Sequence, residues 1–491
     1  MYHPPSKRTQ LFQRVAVYAV MSIAVITLVT ALVMVILGYR FNREDGQIEQ
    51  GGLVQFSSQP SGASVALDGV NFGSRTATKT TMTAGSHLVS MSRTGYQEWR
   101  KSINVVPGAV LWLNYARLVP TDLPVSRLAE FATVTSSAVS VDKRWMAVKS
   151  DVASPEINLF DISQADVVSA KLTLPATSYT QPSEGKGGQQ FSLQTWDPSS
   201  RYLLVKHTID EVARPEWLVV DTQNVANTKN ITTLLDVDIS KLLFTRNNSQ
   251  VVYAQIGHDV RKIDIGGATL SRPLLSNVAE FAQYRDDTLV FASRIDTTTK
   301  QRTVGYYKDG EDASRVVRSY TDDGTTPLHF AINDYFGDTY LAFSYGSGIE
   351  VLTGDLPTNS KETDALKLVS KFTTAEPTQF LDIVTDGRFI VAQAQNSYTV
   401  YDLELKKYTT TPLKGAASTD KKLEWLDGYM PWSDRDGILR LYEFDGANQH
   451  DIMTVVSGQA ATLSRNGTYL YAIGKTDDTH YHLQRVQMIL P

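Results

Sequence analysis

Trp196-Asp197-Pro198-Ser199-Ser200-Arg201-Tyr202-Leu203-Leu204-Val205, followed after a polar break by Trp217-Leu218-Val219-Val220-Asp221, is the stretch on which the fold turns. Asp, Pro and Ser at its start define a tight turn. The two apolar runs are strand-length and rich in branched and aromatic residues. The unit recurs upstream as Val141-Asp142-Lys143-Arg144-Trp145-Met146-Ala147-Val148, leading to Ile157-Asn158-Leu159-Phe160-Asp161. It recurs downstream at Thr245 to Tyr253 with Val260 to Asp264, at Arg285 to Phe291, and at Phe336 to Phe343. Further copies run from Thr385 to Val391 with Tyr398 to Asp402, from Leu426 to Met430 with Leu439 to Glu443, and from Ser464 to Tyr471 with Leu483 to Val486.

These copies number eight, about 40 to 55 residues apart, the spacing of a four-stranded propeller blade. A single blade leaves both faces bare, so the blades must stack and the ring must close. The fourth, fifth and seventh units are degenerate, which makes seven the alternative count. Closure predicts that Val125 to Val134 pairs with strands near the C-terminus and removes the free sheet edge. The propeller is expected over residues 125–491. Its turn-then-strand signature resembles that of TolB-type and related peptidase-associated propellers, most cleanly at Trp196-Asp197-Pro198 and Ser464-Arg465-Asn466-Gly467. That resemblance implies a fold and says little about activity.

Upstream, Val15 to Leu37 runs for 23 residues without a charge. At about 1.5 Å per residue this covers a hydrocarbon core of about 30 Å. No small-x-small cleavage site follows at Leu37-Gly38-Tyr39-Arg40-Phe41. Residues 15–38 therefore read as an uncleaved signal anchor in the cell membrane. Lys7, Arg8 and Arg14 precede it, against Arg40 and Arg43 after it. Residues 1–14 are thus expected as a short cytoplasmic tail, with the C-terminal mass outside the cytoplasm.

Between anchor and propeller the hydrophobic period changes to two. Ala63 to Leu67 alternates and stops at Asp68-Gly69, a hairpin signal. His87 to Ser92, Ile103 to Val106 and Val110 to Leu118 read as further strands. Pro60-Ser61-Gly62-Ala63, Leu67-Asp68-Gly69, Ala84-Gly85-Ser86-His87, Thr94-Gly95-Tyr96 and Val106-Pro107-Gly108 together resemble the PEGA domain, an extracytoplasmic β module of bacteria and archaea. Ser61 stands where the family's motif has Glu, and the usual central Thr-Pro is absent near Thr76 to Thr80. The resemblance implies a small β-sandwich over residues 52–119, an envelope setting and no catalysis. Tyr96 and Trp99 read as its packing aromatics. The fold class is thus all-β: a PEGA-like sandwich and a β-propeller, preceded by one transmembrane helix.

Composition narrows function further. The chain has 491 residues, a net charge of −5 and no cysteine. Disulfides, thiolate metal sites and cysteine nucleophiles are excluded. The acidity speaks against nucleic acid as a partner. No His-Glu-x-x-His pair, Gly-x-Ser-x-Gly elbow or P-loop spacing occurs. His480 and His482 share a strand face but lack an assignable carboxylate, and Asp434-Arg435-Asp436-Gly437 reads as a turn. No catalytic residue, metal ligand or cofactor is assigned.

Gln181 to Gln190 is a polar stretch that reads as a long loop, and Gln181, Glu184, Lys186 and Gln189 are its candidate binding residues. The expectation is a single-pass membrane protein that presents a propeller to an envelope protein or a cell-wall glycan. A hydrolase or lyase acting on envelope polysaccharide is the alternative. Several mutually close Asp, Glu, Arg or His side chains in the central cavity would favour that alternative.

Overall fold

The computed structural model describes residues 7–36, 38–41, 48–183, 187–322, 324–356, 366–416 and 421–491. Its two compact units are Met1–Asp122 and Leu123–Pro491.

The first unit begins with helix α1, Lys7–Ile36, whose Leu11–Ile36 segment has a mean hydropathy of 2.7 and no buried side chains. Its 26 residues cover about 39 Å at 1.5 Å per residue, enough to cross a bilayer with some tilt. Leu37, the last residue of the apolar run, lies outside the described residues.

Two sheets follow. One contains β1 (Gly52–Gln59), β4 (Thr78–Met82) and β7 (Val110–Arg117), and the other β2 (Ser64–Leu67), β3 (Val70–Arg75), β5 (Gly85–Ser92) and β6 (Trp99–Val105). β1 pairs with β7 in parallel, although they are far apart in sequence. Burial alternates along β1, so Val54 and Phe56 face inward, joined by Val65, Val89, Met91 and Leu113 from the other strands. Trp99 is 2% exposed and meets Tyr115 edge-on at 6.2 Å, linking the two sheets. The Asp68-Gly69 turn has positive φ at both residues (49° and 84°), the geometry of a two-residue hairpin that pairs Leu67 with Val70.

The second unit contains, among the described residues, eight four-stranded antiparallel sheets. All three degenerate units form full sheets. The first strands of neighbouring sheets touch: Ser136–Val139 touches Gln189–Trp196, and Leu328–Tyr335 touches Phe380–Ile383. They are therefore the innermost strands, and the sheets are blades. The eighth blade runs outward from Ala461–Leu463 through Tyr469–Asp477 and His480–Gln487 to Ser126–Phe131. Ser126 pairs with Arg485 and Phe131 with Tyr481, so the start of the unit closes its last blade.

Buried side chains fill each interface around the ring. Trp196 and Phe191 of blade 2 pack with Ala147 and Leu159 of blade 1. Phe389 of blade 6 stacks on Phe444 of blade 7 at 4.4 Å. Tyr471 and Ile473 of blade 8 pack with Met146 and Phe160 of blade 1. The turn between the first and second strand of each blade lies at one end of the ring. Asp142 N donates to Ser200 Oγ there at 3.0 Å, and the Ser249 hydroxyl donates to Asp197.

Candidate binding site at the propeller mouth

Each innermost strand starts at the opposite end of the ring, the end that carries the links between blades and the loops between second and third strands. The loop picked out from the sequence belongs to this end, because it connects blade 1 to blade 2. Gln181 Nε2 donates to Ala176 O at 3.1 Å at the start of that loop. Gln189 opens the innermost strand of blade 2, donates to Ala153 O at 3.0 Å and lies 3.3 Å from His207 Nε2. Glu184 and Lys186 lie outside the described residues.

The base of the loop rests on a buried pair. His207 is fully buried, with Nδ1 2.8 Å from Glu216 Oε2, and its ring stacks on Phe191 at 4.4 Å. The Thr180 amide and hydroxyl donate to Glu216 at 3.0 and 2.6 Å. Burial works to raise the Glu216 pKa. The bonds from His207, Thr180 and Asn230 outweigh it and bring the pKa down to about 2.

Across the mouth, Pro327, His329, Glu376, Pro377, Thr378, Gln379, Phe380 and Gln395 line a cleft of about 610 Å³ between blades 5 and 6. His329 is the second residue of its innermost strand and reaches Glu280 Oε2 on blade 4 at 3.2 Å. Lys241, on the innermost strand of blade 3, donates to Phe281 O at 3.3 Å. Burial holds the Lys241 pKa below its ordinary value, against the pull of Glu280. Three successive inner strands thus bring Lys241, Glu280 and His329 together.

The arc continues with Asp382 of blade 6, 2.6 Å from Lys422. Lys421 stands 3.3 Å from Glu424 and 3.4 Å from Asp434, with Nζ 4.2 Å from the Trp432 ring centre. Desolvation raises the Glu424 pKa despite the neighbouring Lys421. A second, smaller cavity of about 40 Å³ lies here, lined in part by Gln379, Gln395, Lys421, Ser433 and Arg435. On blades 1 and 2 the inner strands carry Ser136, Ser137, Ser192 and Gln194 instead. The inner strands carry ionisable side chains on blades 3 to 7 and none on blades 8, 1 and 2.

The sequence reading assigned no role to His329, Glu280 or Lys241. The available signal was a charge near the start of an apolar strand, as in Ile239-Ser240-Lys241 and Val278-Ala279-Glu280. Other candidates separate in space. His480 pairs with Asp477 at the exposed end of its strand, while His482 is buried against Gln484. Asp436 pairs with Arg440. Among the described residues no group of three or more His, Asp or Glu is placed to hold a metal.

An apolar helix, a small sandwich and a closed ring of blades define a propeller protein with a candidate N-terminal anchor. The family model of the PEGA domain matches residues 52–121, so the sandwich is a PEGA domain. Among curated proteins none matches the chain. An oligogalacturonate lyase in complex with manganese is similar over 74% of this chain and 98% of its own, at 12% identity and a TM-score of 0.40. An oligogalacturonate lyase from Vibrio parahaemolyticus aligns over 75% and 98%, at 8% identity and a TM-score of 0.38. A dihydro-heme d1 dehydrogenase in complex with DHE aligns over 76% and 72%, at 14% identity and a TM-score of 0.40. Likenesses this distant carry nothing about chemistry.

Proposed function

We propose that the chain is a membrane-anchored, extracytoplasmic binding protein of the prokaryotic envelope, and that its propeller mouth holds a cell-wall glycan. The 610 Å³ cleft carries this reading. It combines side chains that donate and accept hydrogen bonds (Gln379, Gln395, Glu376, His329) with the apolar faces of Pro327, Pro377 and Phe380. Sugars present hydroxyls at their edges and C–H groups on their faces, so both kinds of lining have a use. The positive-inside bias supports a cytoplasmic position for the short tail, and the PEGA domain supports an envelope setting. The turn signature keeps the propeller with the TolB-type group.

The test is co-sedimentation of the full-length protein, in detergent micelles, with purified cell-wall material at moderate and high salt. Salt-resistant pelleting that is lost in the double variant Gln379→Ala, Gln395→Ala supports the reading. Failure of the parent protein to pellet removes the glycan and leaves a protein partner, to be sought by crosslinking in the native membrane.

The contact between Glu280 and His329 is the one observation that favours the hydrolase or lyase alternative. Glu280 lies 3.2 Å from His329 and Asp382 lies 2.6 Å from Lys422, so each carboxylate has a side-chain partner that holds it in place for binding. Release of soluble saccharide from wall material, abolished by Glu280→Gln, would instead establish an enzyme.

A further inference from the structure

We propose that the 40 Å³ cavity between blades 6 and 7 takes a carboxylate, carried by an anionic saccharide whose ring lies in the adjoining cleft. This rests on the glycan-binding reading and names the class of glycan. Two side chains carry the inference. Ser433 lines the cavity, is 8% exposed, and its hydroxyl has no hydrogen-bond partner. A buried hydroxyl without a partner is costly, so it marks a place where a partner is expected. Arg435 also lines the cavity and is 9% exposed. Its Nε donates to Gly415 O at 2.9 Å and its Nη1 to Gln395 O at 2.6 Å. Both acceptors are neutral carbonyls, and among the described residues no carboxylate pairs with this guanidinium. A buried charge satisfied only by carbonyls still gains from an anion.

The remaining charges on the cavity wall are already matched. Asp434 accepts from the Gly458 amide at 2.7 Å and lies 3.4 Å from Lys421. Lys422 is paired with Asp382. Among the described residues Arg435 is the unmatched cation there. The volume agrees in scale: about 40 Å³ holds about three water-sized centres, and a carboxylate has three heavy atoms. One carboxylate oxygen would accept from the Ser433 hydroxyl, and the other from an Arg435 N–H not used by the two carbonyls. A bidentate, charge-assisted contact of this kind discriminates strongly against a neutral group.

Gln379 and Gln395 line both the cavity and the larger cleft, so a ligand anchored in the first continues into the second. The cleft's amides, Glu376 and His329 suit a ring bearing several hydroxyls. That favours a saccharide over a peptide C-terminus, which would offer the same carboxylate with few hydroxyls.

The experiment is titration calorimetry of the full-length protein in micelles with a tetraglucuronate and with its carboxyl-reduced counterpart. The acidic sugar is expected to bind at least about tenfold more tightly than the reduced one. Ser433→Ala should diminish that preference and leave the melting temperature unchanged, because it deletes a hydroxyl with no hydrogen-bond partner in the protein. Equal binding of the two sugars, or an undiminished preference in Ser433→Ala, overturns the proposal. A short peptide with a free C-terminus that competes as well as the uronate overturns the saccharide assignment. If wall material pellets the protein yet neither sugar binds, this inference falls and the proposed function stands. If the wall also fails to pellet it, both fall.

Discussion

Replacing Asp197 by alanine should destabilise the propeller more than any exposed-turn substitution of similar size. Asp197 is fully buried in the turn that opens the second strand of blade 2. Its carboxylate accepts from the amides of Ser199 (3.0 Å), Arg201 (2.9 Å) and Tyr202 (2.6 Å), and from the Ser199 hydroxyl at 2.5 Å. The Ser249 hydroxyl of blade 3 bonds to it as well, so the same side chain shapes one turn and ties two blades together. In Asp197→Ala the exposed Ser199 amide regains water, whereas the half-buried Arg201 and Tyr202 amides are largely left unpaired. At about 1 to 3 kcal/mol for each unsatisfied group, a loss of about 3 kcal/mol is expected. The unit has about 370 residues, for which the unfolding entropy converts 3 kcal/mol into a fall of about 4 °C in melting temperature. Calorimetry of the parent, Asp197→Ala and Asp197→Asn would measure this. The asparagine variant keeps one acceptor oxygen and should fall in between. A shift below about 1 °C for alanine would refute the view that the repeated turn holds the blades through its buried acid.

Three further outcomes follow from other contacts. The Glu216 pKa is about 2 against an ordinary 4.5, so its stabilisation is complete above pH 4.5 and is lost on acidification towards pH 2. It amounts to about 3 kcal/mol, and Glu216→Gln should flatten acid unfolding in that window, measured by tryptophan fluorescence against pH. Gly387 has φ of +80°, and a Cβ there would lie 1.9 Å from Asp334 O on blade 5, so Gly387→Ala should cost about 3 kcal/mol in chemical denaturation. Deleting residues 123–134 strips the outer edge of His480–Gln487, which should lower the melting temperature and produce aggregates in size-exclusion chromatography.

The parts of the propeller legible in the sequence were those buried on both faces. Most of the apolar runs proved to be the second and third strands of a blade, such as Glu216–Asp221 and Thr288–Ser293, in which every residue is buried, whereas Leu426–Met430 forms the turn before its second strand. The outer strands escaped notice for the opposite reason. Val168–Thr173 and Lys407–Pro412 are almost wholly exposed, so their side chains are free to be polar and show no period. The inner strands show mixed burial because one edge faces the centre of the ring, as at Gln189–Trp196. In the PEGA domain, Asp68-Gly69 announced its hairpin, whereas the parallel pairing of β1 with β7 left no local mark.

Taken alone, the sequence determined the apolar helix, the small domain with its glycine turns, the repeat and the all-β class. Each is a local property: an uncharged run, a turn that needs positive φ, or a hydrophobic period within a dozen residues. The tertiary structure decided between eight and seven blades, gave the predicted closing strand its register, and set the composition of the mouth. Lys241, Glu280 and His329 are separated by about 40 to 50 residues each and meet only because each occupies the same place on successive inner strands. Ser433 and Arg435 are ordinary residues of a turn until neighbouring loops close a cavity over them. Ring closure converts a periodic sequence into a set of equivalent positions around one axis, and no short window of sequence contains that axis.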